Sequence, residues 1–197
     1  MNDFQMRFVR PDAHDVADIL AIYSPFVRET AVTFEYEVPL LEDFTRRVAG
    51  LAAVYPYLVC EVDGKITAYA YASRYLERAA YAWGVQVSVY AAPEARGRGI
   101  ARALYNGLFA MLEQLGYCNA YALITVPNDR SVRFHESFGF VPAGLHHKCG
   151  YKLGAWHDVA WMEKNFGVYV DTPEQPRPVA ELTGDFCAEV FSARKRY

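Results

Sequence analysis

Four cysteines, Cys60, Cys118, Cys149 and Cys187, are spread over 197 residues with no C-x-x-C pair, so neither a disulfide framework nor a thiolate zinc site is expected. Reduced thiols in a cytoplasmic protein are the corresponding expectation. No run of about 18 apolar residues offers a membrane span, and the opening residues MNDFQMRFVR lack the apolar centre of a signal peptide. Positive charge is not in excess: 20 Lys and Arg against 23 Asp and Glu give a formal net charge of -3. A nucleic-acid backbone is therefore a poor partner. There is no internal repeat, no Gly-Lys-Ser/Thr of a Walker loop and no G-x-G-x-x-G fingerprint. Those absences argue against a solenoid, magnesium-nucleotide hydrolysis and a nicotinamide dinucleotide.

With 53% hydrophobic and 22% charged residues, the chain can bury one full core. Residues 6–10 read as a short strand. Asp12 can then cap a helix that carries Asp15 in its first turn and Val16, Ile19, Leu20 and Tyr23 at helical spacing. A second helix is expected over 40–51, where Leu41, Phe44 and Val48 share one face. Phe34-Glu35-Tyr36 lies in the loop between them. Strands at 57–62 and 66–71 flank Asp63-Gly64, a strong hairpin signal because glycine accepts positive φ. A strand over 81–91 ends at Ala92-Pro93, a helix follows over 99–115, then a buried strand at 121–126 and a short helix at 131–138. Strands near 140–147 and 157–164 complete the set. Residues 1–166 thus form the expected domain. Beyond Gly167, Pro173, Pro176 and Pro178 mark 167–197 as a tail that packs on the body or is partly mobile, ending in Arg194-Lys195-Arg196-Tyr197. The alternation of strands and helices around an antiparallel hairpin predicts a mixed α/β (α+β) sheet.

The chemistry-bearing segment is Arg96-Gly97-Arg98-Gly99-Ile100-Ala101, set between a strand and a helix. Small residues there let successive backbone N–H groups face one point at a helix N-terminus, where the dipole also favours an anion. The pattern points to a phosphate or diphosphate, with Arg96 and Arg98 adding local positive charge. The competing reading is a plain tight turn with solvated arginines.

Arg96-x-x-Gly99-x-Ala101 in that setting resembles the coenzyme A diphosphate loop of the GNAT superfamily of N-acetyltransferases. More narrowly, Tyr55-Pro56-Tyr57-Leu58-Val59 and Glu61-Val62-Asp63-Gly64 resemble the phosphinothricin and methionine sulfone/sulfoximine acetyltransferases. So do Pro127-Asn128-Asp129-x-Ser131-Val132-Arg133-x-His135-Glu136 and Gly154-x-Trp156-His157-Asp158-Val159, in order between about residues 7 and 166. The resemblance implies a single GNAT domain with a mostly antiparallel, splayed central sheet flanked by helices. It also implies acetyl-CoA as cosubstrate, a small amino-acid-like amine as acceptor, direct attack in a ternary complex, and a homodimer through the C-terminal strands and tail, with Trp156, Val159, Trp161 and Phe166 as its apolar residues. By resemblance the coenzyme would be held at Val89, Tyr90, Ala91, Arg96, Gly97, Arg98, Gly99, Ile100, Ala101 and Asn128. The Val89 N–H is the implied donor to the thioester oxygen. Asn128 equally suits a helix N-cap. His135 falls where many members carry a tyrosine near the coenzyme sulfur, and is either a proton donor or a structural imidazole.

Gln86 departs from the pattern, because it aligns with a glutamate credited with base function and an amide accepts no proton at neutral pH. Leu76 stands where relatives carry Lys or Arg. Phe34, Arg78 and Tyr81 are the implied substrate contacts, and a non-catalytic acyl-CoA-binding module is the alternative to an enzyme. His146, His147 and Cys149 lack a complete ligand set, so no metal is expected. Trp156-His157-Asp158 comes with no serine nucleophile motif.

Overall fold

The computed structural model describes residues 4–193; the expected terminal basic run at 194–197 lies outside them. Strand β1, Gln5–Phe8, leads into helix α1, Ala13–Glu29. Asp12 caps α1 as its pattern predicts, accepting hydrogen bonds from the N–H groups of His14 and Asp15. The helix extends past the apolar run at 16–23 and through Pro25. Helix α2, Leu41–Ala52, packs beside α1, and the hairpin of β2, Tyr57–Val62, and β3, Lys65–Arg74, follows. Asp63 and Gly64 both take positive φ, 51° and 76°, the mirror-image turn that suits two twisted strands.

The expected strand at 81–91 divides. Ala79–Tyr81 is a 3₁₀ turn, and β4 runs Gly84–Ala91. Helix α3, Ile100–Gln114, β5, Asn119–Val126, and helix α4, Asp129–Glu136, come next. The last strands are longer than their periodicity suggests: β6, Val141–Lys152, and β7, Ala155–Asn165, form one hairpin turned at Leu153-Gly154. The ladder carries β6 past the expected end near 147 with a register shift between His146 and Gly150.

The seven strands lie in the order β1-β2-β3-β4-β5-β7-β6. Only β4 and β5 are parallel neighbours. Period-2 alternation divides the core. Leu58, Cys60, Ala68, Ala70, Ala72, Val85, Val87, Ala120, Ala122 and Ile124 face α3, where Leu104, Leu108 and Met111 fill the space above the small alanines. Tyr57, Val59 and Tyr69 face α1 and α2 with Ile19, Val27, Phe44 and Val48. The tail contains a helix its composition does not announce: α5, Gly184–Ser192, capped by Thr183, packs Val190 and Phe186 on the α3 side. Before it, Arg177 and Val179 donate backbone hydrogen bonds to Leu115 and Val54 oxygens, both 2.9 Å.

Candidate active site

The parallel ladder of β4 and β5 covers only Gly84 with Asn119, Val85 with Ala120, and Gln86 with Tyr121. Both strands continue beyond it, β4 to Ala91 and β5 to Val126, so the sheet parts there. The Ala92 N–H donates to Thr67 O of β3 at 2.9 Å. Because backbone groups alternate sides along a strand, Tyr90 and Ser88 also turn theirs to β3, while Ala91, Val89 and Val87 turn theirs into the gap. Val89 and Ala91 therefore present N–H and C=O groups to an opening with no ladder partner. Tyr90 does not. Its backbone faces β3, and its ring stacks on Tyr69 at 5.2 Å between centroids. Burial, helped by the neighbouring Tyr71, holds that phenol well above its ordinary pKa. Grouping Tyr90 with the coenzyme contacts is thus corrected by strand alternation.

At the wide end of the gap lies the glycine turn. Gly97 and Gly99 have φ of 73° and 76°, the left-handed region that only glycine enters without strain. The first hydrogen bond of α3 runs from Ala103 N–H to Gly99 O at 2.9 Å. The N–H groups of Gly99, Ile100, Ala101 and Arg102 are consequently outside the helical ladder and available to an anion. The two arginines diverge. Arg96 lines a cavity beside α1 with Asp18, Pro25 and Glu29, and Arg98 lines one beside α5. Asn128 fulfils the capping reading, its Oδ1 accepting from Ser131 N–H at 3.2 Å.

His135 is 5% exposed with both ring nitrogens occupied. Nδ1 donates to Ser131 O at 2.8 Å, so Nε2 accepts from Tyr105 Oη at 3.1 Å. Burial lowers its pKa and keeps the ring neutral, with the Ser131 bond opposing. Donating a proton to a coenzyme sulfur would require breaking that pair, and this geometry makes His135 a strut between α4 and α3.

Gln86 and Ser88 lie on the other face of β4 from Val85 and Val87, paired in the ladders with Tyr121 and Tyr71. The loop between α1 and α2 reaches that face through Tyr23, which bonds Thr33 and meets Tyr90 edge-on. That loop is latched to the β6–β7 hairpin. Lys152 Nζ donates to Thr33 O at 2.6 Å, the Tyr36 hydroxyl donates to Tyr151 O, and the Phe34 ring occupies the space above Gly150. The latched loop also carries Glu35, paired with Arg47 at 2.6 Å. Lys152 is 2% exposed; burial lowers its pKa while Glu35 raises it. Tyr81 meets Tyr75 edge-on, and Tyr75 stacks on Tyr121 at 3.7 Å. Arg78 is exposed and lines a cleft with Leu76, Tyr81 and Tyr117, so it stands beside Tyr81, another implied substrate contact, while neither Gln86 nor Phe34 lines that cleft.

Two features escaped the sequence reading: buried Lys152, and the stack of Tyr57, Tyr69, Tyr71 and Tyr90 under the acceptor face. The pair Tyr69-x-Tyr71 was the available signal, since period 2 puts both rings on one face. Asp158 pairs with His147 at 3.0 Å, and His157 bonds Lys152 O at 2.9 Å, which makes the Trp156-His157-Asp158 segment a hairpin brace.

A parted parallel strand pair, free backbone edges in the gap and free N–H groups at a helix start at its mouth together define a fold suited to an extended ligand that carries an anionic group. The acetyltransferase (GNAT) domain family matches residues 8–161, and the chain belongs to that family. It is 34% identical over 176 residues to phosphinothricin N-acetyltransferase of Streptomyces viridochromogenes, covering 89% of this chain and 94% of that protein. It is 31% identical to L-methionine sulfoximine/L-methionine sulfone acetyltransferase of Salmonella typhimurium, over 77% and 90% of the two chains. Among solved structures, a GNAT superfamily phosphinothricin acetyltransferase from Sinorhizobium meliloti in complex with AcCoA superposes with a TM-score of 0.81 at 33% identity, covering 88% of this chain and 94% of that one.

Proposed function

We propose that the protein is an acetyl-CoA-dependent N-acetyltransferase for the primary amine of a small amino-acid-like molecule of the phosphinothricin or methionine sulfone type. The observation that carries this reading is the unpaired edge of Val89 and Ala91 leading to the free N–H groups at Gly99 to Arg102. When bound, acetyl-CoA supplies an activated acetyl thioester. The turn from Arg96 to Ala101 would hold its diphosphate, and Ala91 with the Asn128 amide would hold the pantetheine arm. The Val89 N–H would face the carbonyl oxygen, where negative charge grows as the amine attacks. The amine enters from the other face, bounded by Gln86, Ser88, Phe34 and Tyr81. No acyl-enzyme is needed: Cys60 and Cys118 are buried, burial raises the Cys118 thiol, and neither stands in the gap.

A panel of amino-acid-like amines assayed by free-thiol release tests this reading. Saturable acetyl-CoA binding with no transfer to any amine would favour the non-catalytic module that Gln86 suggests. The same assay carries a sharper expectation. Gln86→Glu supplies the missing carboxylate and should raise kcat/KM by about 10-fold or more below the amine pKa, a part of the roughly 100- to 10,000-fold that a fully positioned general base contributes. A rate–pH profile identical in both forms would show that proton removal follows another route.

Gly150 gives a separate test of the acceptor side. A Cβ there would overlap the Phe34 ring. Gly150→Ala should therefore unseat Phe34 and raise KM for the amine about 10-fold while leaving acetyl-CoA affinity within about 2-fold, since the clash lies only on the acceptor face. Unchanged KM for the amine would separate Phe34 from substrate binding.

The proposal extends to a cytoplasmic homodimer. Support comes from β6, an exposed sheet edge carrying Val141, Leu145 and Tyr151, and from Trp156 at 62% exposure on β7. Val159 is buried and Phe166 packs on the core, so those two are accounted for within one chain. Light scattering that reads a monomer at micromolar concentration would reject the dimer.

A further inference from the structure

A cavity of about 310 Å³ lies between α3, α5 and β1, on the side of α3 away from the parted strands. That is the size of a small-ligand site. Its walls are Phe4, Met6, Ala103, Gly107, Ala110, Phe186 and Val190, apolar along their length. At its polar end are Arg98, Arg102 and Asn106, with Glu189 opposite. Two nitrogens there, Arg98 Nε and Asn106 Nδ2, are shielded from water and have no hydrogen-bond partner among the described residues. Both carry only donor hydrogens. Buried donors are nearly always paired, so two unpaired ones lining the same hollow call for an acceptor that enters it. Two arginines against one glutamate leave the lining net positive, which selects an anionic acceptor. Arg102 already spends part of its donor set on Ser137 Oγ at 2.9 Å, whereas Arg98 Nε is uncommitted.

We propose that this hollow binds an aliphatic monocarboxylate of medium chain length. The carboxylate meets Arg98 and Asn106, and the chain lies between Ala110, Phe186 and Val190. Arg98 and Gly99 belong at once to this cavity and to the anion-binding turn. A carboxylate that engages Arg98 withdraws its charge from the diphosphate, so occupancy weakens acetyl-CoA binding. This coupling rests on the acetyl-CoA reading of the turn; the site itself does not.

Calorimetric titration of the full chain with octanoate, in the absence of acetyl-CoA, tests the site. Saturable one-site binding is expected, weakened about 10-fold by Asn106→Leu through loss of a donor, and about as much when neutral 1-octanol replaces the acid. Ala110→Phe fills the hollow and should abolish it. No octanoate binding, equal affinity for 1-octanol, or full affinity in Ala110→Phe with a native circular dichroism spectrum would overturn the proposal. Acetyl-CoA affinity should then fall about 3- to 10-fold at saturating octanoate, and octanoate affinity by the same factor at saturating acetyl-CoA, as linkage requires. Complete mutual exclusion would make the hollow part of the coenzyme site, and unchanged affinity would remove the coupling; either result overturns it. Failure of acetyl-CoA to bind without octanoate would instead count against the reading of the turn, leaving the octanoate titration to stand by itself.

Discussion

Gly99→Val is expected to lower acetyl-CoA affinity by about 100-fold or more, the equivalent of about 2.7 kcal/mol. Gly99 sits at φ 76° directly before α3, and no protein atom lies within 4 Å of where a Cβ would project. That open space is the approach to the free N–H groups of the turn. A branched side chain stands in it and holds a phosphate away from donors that act only at hydrogen-bond distance. The backbone cost is separate: a non-glycine residue in the left-handed region costs about 1–2 kcal/mol. Gly64, at φ 76° in the hairpin turn and also with nothing within 4 Å, provides the control. Gly64→Val bears the same strain in a different turn, leaves the N–H groups of Gly99 to Arg102 untouched, and should leave acetyl-CoA affinity unchanged. Calorimetry on both variants, each shown folded, reads the difference. Equal affinities in the two would move the coenzyme site elsewhere.

Asp15→Ala is expected to cost about 3–5 kcal/mol of stability, because it breaks a buried ion pair and leaves its partners uncompensated. The Asp15 side chain is fully buried. Its two oxygens accept from Arg7 Nη1 and Nη2 at 2.6 and 2.8 Å and from the Arg10 N–H at 2.7 Å. Arg7 also reaches Glu61 of β2, so one guanidinium ties the first helix to two strands. Burial alone would raise the carboxyl pKa, but the hydrogen bonds and charge of Arg7, with the Arg10 N–H, outweigh it and bring the value from 3.8 down to about 2.

The sign of the pH dependence follows. A carboxyl that ionises more readily in the folded state than in the unfolded chain contributes fully above about pH 4, and the contribution is lost as pH falls toward 2. A depression from 3.8 to about 2 corresponds to about 2 kcal/mol. Asp15→Asn keeps the shape and removes the ionisation, so urea midpoints of wild type and variant should differ most above pH 4, and the gap should shrink steadily as pH falls toward 2. A gap that is constant from pH 7 to pH 2.5 would mean that the pair does not titrate with folding.

Helix α1 and the glycine turn were legible for one reason: their determinants lie within a few residues. Asp12 caps α1 through N–H groups two and three positions on, and Asp63-Gly64 turns a hairpin whose partners adjoin it. The same locality explains the misreadings. The strands read near 140–147 and 157–164 came out short because the bulge between His146 and Gly150 is held in a ladder only by β7, and α5 was missed because its short apolar face has meaning only against α3. Tyr90 entered the coenzyme contacts by its position in a motif, whereas strand alternation turns its backbone away.

By itself the sequence determined the local conformations: capped helix starts, positive-φ turns, period-2 strands and a glycine turn with free N–H groups at the head of α3. Those depend on steric and hydrogen-bond preferences acting over about four residues, and no distant partner is needed to express them. Only the tertiary structure decided that β4 and β5 part after Gln86 and Tyr121, that Phe34 seats over Gly150, that Lys152 reaches Thr33, and that Arg98 borders a hollow closed by α5. Phe34 and Gly150 are more than a hundred positions apart, and the order of strands in the sheet, not any neighbouring residue, brings them into contact.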